Sequence, residues 1–158
     1  RFYRIREVWQ TMAMVKKSVL IEHSSQRMFD LVDRVEDYPQ FLPWCSQTHC
    51  EFRDERRTVA TLHINYRSVR SHFTTANDKE SPLWMKITLV DGPFRRLDGL
   101  WRFKPLTAGA CKIEFQLSYE FSSRMFEKVI GPVFSQIANT FVEAFVRRAD
   151  ELHGPRHA

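Results

Sequence analysis

Hydrophobic residues change their spacing along this chain, and that change limits the possible folds more than any other feature. Between residues 111 and 121 apolar side chains occupy every odd position, while Lys112, Glu114, Gln116 and Glu120 stand between them. Strict alternation predicts a half-buried β-strand with its odd positions turned inward and its even positions exposed to water. This part of the chain is therefore expected to belong to a sheet.

The same two-residue period runs through about six segments between Thr48 and Phe121, separated by short turn-forming runs. Turns are predicted at residues 53–56, 77–81, 91–93 and 107–109. The earlier inward rows are Ala60, Leu62, Ile64 and Tyr66; Val69, Ser71, Phe73 and Thr75; Leu83, Met85, Ile87 and Leu89; and Leu97, Gly99, Trp101 and Phe103. Short connections between successive strands predict an antiparallel meander.

Helical spacing frames this strand region on both sides. Before it, a strand at 18–22 is followed by a helix at 25–35 and by a second short helix that starts at Asp37 and ends at Pro43. After it, a long helix is predicted over residues 123–152. Its apolar stripe consists of Phe126, Val129, Ile130, Val133, Phe134, Ile137, Phe141, Ala144 and Phe145.

One long helix is too narrow to cover a flat sheet of this width. Seven strands at ~4.8 Å each span roughly 33 Å, whereas a helix with its side chains is only ~10–12 Å wide. We therefore expect an α+β fold in which a curved antiparallel sheet of about seven strands wraps around the C-terminal helix. Small residues within the inward rows indicate an apolar cavity, or else they let the helix pack closely: Ala60, Ser71, Thr75 and Gly99. The largest cavity is expected between the sheet and the long helix, with Gly99 opening space beside Trp101.

A single domain is expected over residues 14–152, with residues 1–13 as an N-terminal extension and residues 153–158 as a tail. Uninterrupted apolar runs are short, which argues against a membrane-spanning helix, and residues 1–13 lack the apolar stretch of a signal peptide. Three cysteines without a CxxC pair favour reduced thiols. These features predict a cytoplasmic protein.

Basic residues are predicted on the outer face of the sheet, in a chain with a net charge of +5. One set is Arg67 and Arg70 beside His63 and His72, and the other is Arg95, Arg96, Arg102 and Lys104. Such a surface could contact phosphate groups of RNA or lipid, or could be an ordinary solvated strand face. No exposed aromatic residues for base stacking accompany the second set, so sequence-specific RNA recognition is disfavoured; DNA is not expected as a partner.

Motifs for catalysis are missing from the sequence. There is no GxSxG, HExxH, Walker or dinucleotide-binding motif, and His23 is simply a sequence neighbour of Ser24. The spacing of Cys45, His49 and Cys50 does not match a structural zinc site. We expect no catalytic residues, no metal and no required cofactor, with a cyclase or hydrolase as the alternative.

Four segments together resemble one known family. They are residues 90–106, which contain the run Val-Asp-Gly-Pro-Phe-Arg, and residues 111–121, 37–45 and 141–145. This combination resembles the bacterial ribosome-association toxin family, within the coenzyme Q-binding, START-like group also labelled polyketide cyclase/dehydrase. The resemblance covers residues 15–152 and implies a helix-grip fold with a lipid cavity.

The resemblance also implies a ligand and a function, whereas the residues alone indicate only an apolar pocket. The implied ligand is ubiquinone or a similar isoprenoid lipid, bound without catalysis in support of respiration or quinone biosynthesis. The residues expected to line the cavity are Tyr66, Ser71, Phe73, Thr75, Met85, Ile87, Gly99, Trp101, Phe115, Phe134, Ile137 and Phe141. Among them Tyr66, Ser71, Thr75 and the Trp101 indole N–H are candidate hydrogen-bond donors to the quinone oxygens.

A second function is left open by the same resemblance. The chain could be the toxin of a toxin-antitoxin pair that binds the large ribosomal subunit and blocks subunit association and translation initiation. The expected partners are therefore a hydrophobic small molecule, the large ribosomal subunit and a transient membrane surface at the inner membrane. The two functions could also coexist in one protein.

Overall fold

Seven antiparallel strands form one sheet in the computed structural model, which describes residues 12–154. The strands are β1 (Ala13–Ile21), β2 (Cys45–Arg53), β3 (Arg57–Tyr66), β4 (Val69–Glu80), β5 (Trp84–Asp91), β6 (Phe94–Thr107) and β7 (Ala110–Phe121). The helices are α1 (Ser25–Asp33), a short 3₁₀ helix (Val35–Gln40) and α2 (Arg124–His153). Most of the predicted extension and tail lies outside the described residues.

The strand order is β1-β7-β6-β5-β4-β3-β2, so β2 to β7 form a meander and β1 completes the sheet beside β7. The α+β class, the antiparallel sheet and the long C-terminal helix are confirmed. The helix predicted at 25–35 ends at Asp33, because the backbone of Arg34 leaves the helical conformation before the 3₁₀ helix begins.

The inward face of β7 follows the alternation in the sequence. Every odd residue from Cys111 to Phe121 is buried. Glu120, predicted to be exposed, is buried, and Arg95 Nη1 on β6 lies 3.1 Å from its Oε2. Alternation alone therefore assigns the inward face correctly but misses a carboxylate that neighbouring groups cover.

β4 is longer than predicted, because residues 77–80 continue the strand and do not form a turn. Asn77 pairs with Thr58 on β3 and with Ile87 on β5, and Lys79 is buried on the same face. The turn falls at residues 81–83, and Leu83, predicted to face inward, is exposed there. Because Asn77 and Lys79 are polar, the alternation of apolar and polar residues did not show that the inward row of β4 continues through them.

A buried ion pair joins α1 to the strands. Lys79 Nζ lies 2.8 Å from Asp33 Oδ2, and the Thr58 hydroxyl donates to Asp33 Oδ1 at 2.8 Å. Arg53 adds a hydrogen bond to the backbone carbonyl of Asp33 and an ion pair with Glu36. This network fixes the end of α1 and the start of the 3₁₀ helix against β2, β3 and β4.

The long helix α2 is buried over only part of its length. Ser123 caps it by accepting from the backbone N–H of Phe126. Its buried residues begin at Ile130, whereas Met125, Phe126 and Val129 are exposed. The predicted apolar stripe is therefore wrong for Phe126 and Val129, because the first turns of α2 precede the part that the sheet covers.

Polar contacts anchor the C-terminal half of α2. Asp150 Oδ1 lies 2.7 Å from His23 Nε2, Glu143 Oε2 lies 3.2 Å from Lys17 Nζ, and Arg148 donates to Gln40 at 3.0 Å. By length and composition α2 could cross a membrane, since its most apolar 18 residues have a mean hydropathy of 1.3. The sequence prediction, which rested on uninterrupted apolar runs, did not identify α2 as long and apolar enough to span a membrane. In this structure the apolar face of α2 packs against the sheet.

Replacing Lys79 tests the buried ion pair. Lys79→Met should lower the free energy of unfolding by about 3 kcal/mol, because it leaves the partly buried Asp33 carboxylate without its main cation. Lys86→Met is the matched control, since Lys86 is exposed on neighbouring β5. Urea unfolding measures both, and equal losses in the two variants would contradict this role for Lys79.

The Glu36–Arg53 pair predicts a specific pH dependence. Hydrogen bonding to Arg53 lowers the pKa of Glu36 from 4.5 to about 2. The pair therefore stabilises the fold fully above pH 4.5, and this contribution is lost as the pH falls through about 2. The stability difference between the parent and Glu36→Gln should shrink over this range.

Chemical unfolding at a series of pH values measures that difference. The control is Glu55→Gln, which removes a charge from the neighbouring turn and leaves the Arg53 pair intact. A Glu36→Gln difference that stays constant between pH 5 and pH 2 would contradict the pair's contribution.

Candidate functional site: an apolar cavity under the long helix

A cavity of about 60 Å³ lies between the concave face of the sheet and α2. The 3₁₀ helix and the end of α1 close one side of it. Its lining residues are Val32, Val35, Tyr38, Trp44, Leu62, Phe73, Thr75, Asn77, Met85, Ile87, Leu97, Trp101, Phe115, Leu117, Phe134, Ile137, Ala138 and Phe141. The position between sheet and helix is the one that the sequence predicted.

Nine of the twelve predicted lining residues are in this wall: Phe73, Thr75, Met85, Ile87, Trp101, Phe115, Phe134, Ile137 and Phe141. Tyr66 and Ser71 are not, because they lie near the β3–β4 turn, where Tyr66 pairs with Val69 and Ser71 with Ile64. Leu62, Leu97 and Leu117 were missed although they belong to inward rows already recognised. Counting every member of those rows as a lining candidate would have found them.

Gly99 does not open space beside Trp101 as expected. A Cβ atom at this position would lie 3.1 Å from Ile87 Cδ1 and 3.2 Å from Leu117 Cδ1. Side chains of the two flanking strands therefore already fill the gap that the missing side chain leaves. The small residue allows close packing here, which is the alternative that the sequence left open.

The prediction that this cavity is the largest of the molecule is wrong. A cleft of about 780 Å³ lies between α1, the β2–β3 turn and the end of β4, with charged residues such as Asp30, Glu55 and Arg56 in its wall. That cleft is open and its lining mixes charged and apolar groups, so it lacks the enclosed apolar wall of a lipid site. Of these two hollows, the smaller one has the apolar wall and lies between the sheet and α2.

Aromatic rings make up much of the cavity wall. The Trp101 ring stands 4.5 Å from that of Phe115 and 5.8 Å from that of Phe141, measured between centroids. Phe134 packs edge-on against Phe73 from the opposite end of the cavity. Such a wall favours a flat or apolar ligand and excludes water.

The described part of the cavity wall offers little acid–base chemistry. Tyr38 is its one titratable residue; burial raises its pKa, and its hydroxyl donates to the Val32 carbonyl oxygen. The buried thiols lie outside the wall, and burial raises the pKa of both Cys45 and Cys111 to about 11. Within residues 12–154, no cluster of three His, Cys, Asp or Glu residues could hold a metal.

The basic residues separate into two groups on the outer face. Arg95, Arg96 and Lys104 each form an ion pair, with Glu120, Asp98 and Glu114 respectively. In contrast, Arg67 stacks over the Tyr66 ring at 5.1 Å and Arg70 is exposed close by. The rings of His63 and His72 lie 5.4 Å apart on the same two strands. Arg102 is exposed on β6.

Comparison with known sequences identifies the family. The model of the family described as polyketide cyclase / dehydrase and lipid transport matches residues 21–146. The chain belongs to this family. Within it, the chain is 39% identical over 143 residues to the ribosome association toxin RatA of Vibrio cholerae, covering 90% of this chain and 99% of the relative. RatA of Escherichia coli K12 is 36% identical, with 92% of each chain covered.

A more distant relative in the polyketide cyclase and lipid transport family is named for a ligand. The mitochondrial coenzyme Q-binding protein COQ10 homolog B of Xenopus laevis is 25% identical over 142 residues, covering 87% of this chain and 58% of that protein. The resemblance to ribosome-association toxins and to the coenzyme Q-binding group, expected from residues 37–45, 90–121 and 141–145, is thereby confirmed.

Solved structures show the fold of the family. The Zhui aromatase/cyclase of Streptomyces sp. R1128 superposes with a TM-score of 0.72 at 14% identity, covering 88% of this chain and 94% of that chain. A START superfamily protein of Mycobacterium smegmatis gives 0.69 at 19% identity, covering 88% and 98%. The helix-grip fold is confirmed, and it hosts enzymes in some proteins.

Adding a side chain at Gly99 tests whether that position is packed. Gly99→Val should lower the free energy of unfolding by about 1–3 kcal/mol, because it overpacks the contact with Ile87 and Leu117. The same change at Gly109, where a Cβ atom meets no other atom within 4 Å, is the control. Denaturant unfolding measures both, and an unchanged Gly99→Val stability would show that space is open there.

Proposed function

We propose that the protein binds a hydrophobic isoprenoid lipid, with ubiquinone as the ligand, in the cavity between the sheet and α2. The observation that carries this proposal is the apolar, aromatic-rich wall gripped by the curved sheet. The naming of a relative as coenzyme Q-binding and the lipid-transport description of the family support it. Binding is proposed to be non-catalytic, because the described wall offers no acid–base pair.

Ligand entry requires the cavity to widen. A volume of about 60 Å³ is well below the ~300–1,000 Å³ of typical ligand pockets. The N-terminal part of α2 is the segment suited to move, since Met125 and Val129 are exposed and the polar anchors lie further along the helix. Pro132 removes one backbone hydrogen bond from the same part of α2, which makes bending there easier.

Carriage of quinone would suit a protein that works in the cytoplasm and meets the inner membrane transiently. Quinones partition into lipid, so a carrier has to shield the ring and part of its tail from water. In this role the protein would support respiration or quinone biosynthesis as a carrier or chaperone. No resident cofactor is required by the proposal.

Filling the cavity from α2 should weaken lipid binding. Ala138 is buried in the wall, so Ala138→Phe places a ring where the ligand is expected. A short-tailed ubiquinone should quench the fluorescence of Trp44 and Trp101, and the variant should bind it at least about tenfold more weakly. The control is Gln136→Phe, which adds the same ring to the exposed face of α2.

The two variants separate the cavity from the surface. Thermal unfolding checks that both remain folded before titration. Equal quinone affinity in the parent and in a folded Ala138→Phe protein would rule out this cavity as the binding site. A loss of affinity in Gln136→Phe alone would place the ligand on the outer side of α2.

A second proposed function is association with the large ribosomal subunit, so that subunit joining and translation initiation are blocked. The names of the relatives at 36–39% identity support it. Arg67 and Arg70 supply a basic surface at the β3–β4 turn that could contact RNA phosphates. Arg67 and Arg70 do not line the cavity, so one protein could serve both functions.

Charge reversal at the β3–β4 turn tests the ribosome proposal. Arg67→Glu with Arg70→Glu should weaken binding to purified large subunits and reduce its salt dependence, because phosphate contacts release counterions. Arg56→Glu, at the other end of β3, is the control. Unchanged sedimentation of the double variant with the subunits would contradict the role of this surface.

A further inference from the structure

Asn77 has the one fully buried side-chain polar atom in the described wall that lacks a hydrogen-bond partner. Its side chain lies in the cavity wall and the residue is 7% exposed. The Oδ1 atom is closed to water and accepts no hydrogen bond within residues 12–154. A buried polar atom without a partner destabilises a fold, so a structural role of the amide does not explain it.

The neighbours of Asn77 do not satisfy its carbonyl oxygen. On one side Ile87 is apolar, and on the other the Thr58 hydroxyl donates its proton to Asp33 Oδ1 at 2.8 Å. Lys79, two residues along β4, directs its ammonium group to Asp33 and Thr58. The polar groups around Asn77 are thus engaged in the network that anchors α1.

Thr75 lies on the same side of β4, two residues from Asn77, and also lines the cavity. Residues spaced by two on a strand stand roughly 6.7 Å apart and point to the same face. Together they form a short polar edge in an otherwise apolar wall. An edge of this kind orients a ligand ring that carries polar substituents.

We propose that the cavity takes a lipid whose ring carries a free hydroxyl group, and that the Asn77 carboxamide recognises it. A hydroxyl donates the hydrogen bond that Oδ1 lacks, whereas a quinone carbonyl or a methoxy oxygen only accepts. The inference rests on the proposed lipid-binding function and refines it. Among ubiquinone species, the reduced hydroquinone becomes the preferred ligand.

On this proposal, the Asn77 carboxamide lowers the stability of the free protein and strengthens the binding of the ligand. In the free protein the buried oxygen lowers stability, and in the complex the ligand hydroxyl satisfies it once the cavity has widened. Replacing Asn77 by Leu, which is similar in size and apolar, should therefore stabilise the free protein and remove the discrimination between ligands. A residue that serves the fold would show the opposite change in stability.

The test compares two ligands and two proteins in a double cycle. The ligands are a short-tailed ubiquinol, kept reduced under anaerobic conditions, and its dimethyl ether, which lacks both hydroxyl donors. The proteins are the parent and Asn77→Leu, with Asn65→Leu on the exposed face of β3 as the matched control. Quenching of tryptophan fluorescence gives the affinities, and thermal unfolding of the free proteins gives their stabilities.

The parent and the Asn65→Leu control should bind the quinol roughly three- to tenfold more tightly than the ether, the effect of one hydrogen bond. In Asn77→Leu this ratio should fall to about one, and the Tm of the free protein should rise by roughly 2–4 °C. Oxidised ubiquinone should bind the parent no more tightly than the ether does.

Equal binding of quinol and ether by the parent would overturn the inference while leaving lipid binding intact. A ratio that persists in Asn77→Leu, a tighter binding of the oxidised quinone, or a fall in Tm on removing the amide would overturn it as well. If the parent binds none of the three compounds, the proposed lipid function itself fails and the inference fails with it.

Discussion

A single helix has to cover the concave face of a seven-stranded sheet, and the rest of the structure follows from that constraint. The sheet solves it by curving, and α2 fills the groove only from Ile130 onward. The C-terminal half of α2 is held both by buried rings such as Phe145 and by polar contacts such as His23–Asp150. The remaining gap, between the sheet and the middle of α2, is the cavity.

Two polar residues on the inward row of β4, Lys79 and Asn77, have different physical roles. Lys79 is paired with Asp33 and helps to hold α1 against the strands. Asn77, two positions earlier, has an oxygen without a partner and borders the cavity. One strand therefore provides both the polar support for the closing helices and the polar edge of the candidate ligand site.

Sequence periodicity predicted most of the fold because alternation and helical spacing report which face of each element is buried. It placed β7 and the inward row of β6 correctly, and it located the cavity between the sheet and α2. It missed the end of β4, since Asn77 and Lys79 have the composition of a turn and are buried only through tertiary contacts. It could not show that Ile87 and Leu117 close the space at Gly99, because that depends on the register of three strands.

The proposed function requires that the cavity hold an isoprenoid lipid. The most direct measurement is native mass spectrometry of the protein purified without denaturant from quinone-producing cells, followed by analysis of its organic extract. If the cavity holds the lipid, one isoprenoid quinone should be bound per chain at close to full occupancy, enriched over its proportion in the membrane. Protein that carries no lipid, or carries lipids in the proportions of the bulk membrane, would contradict it.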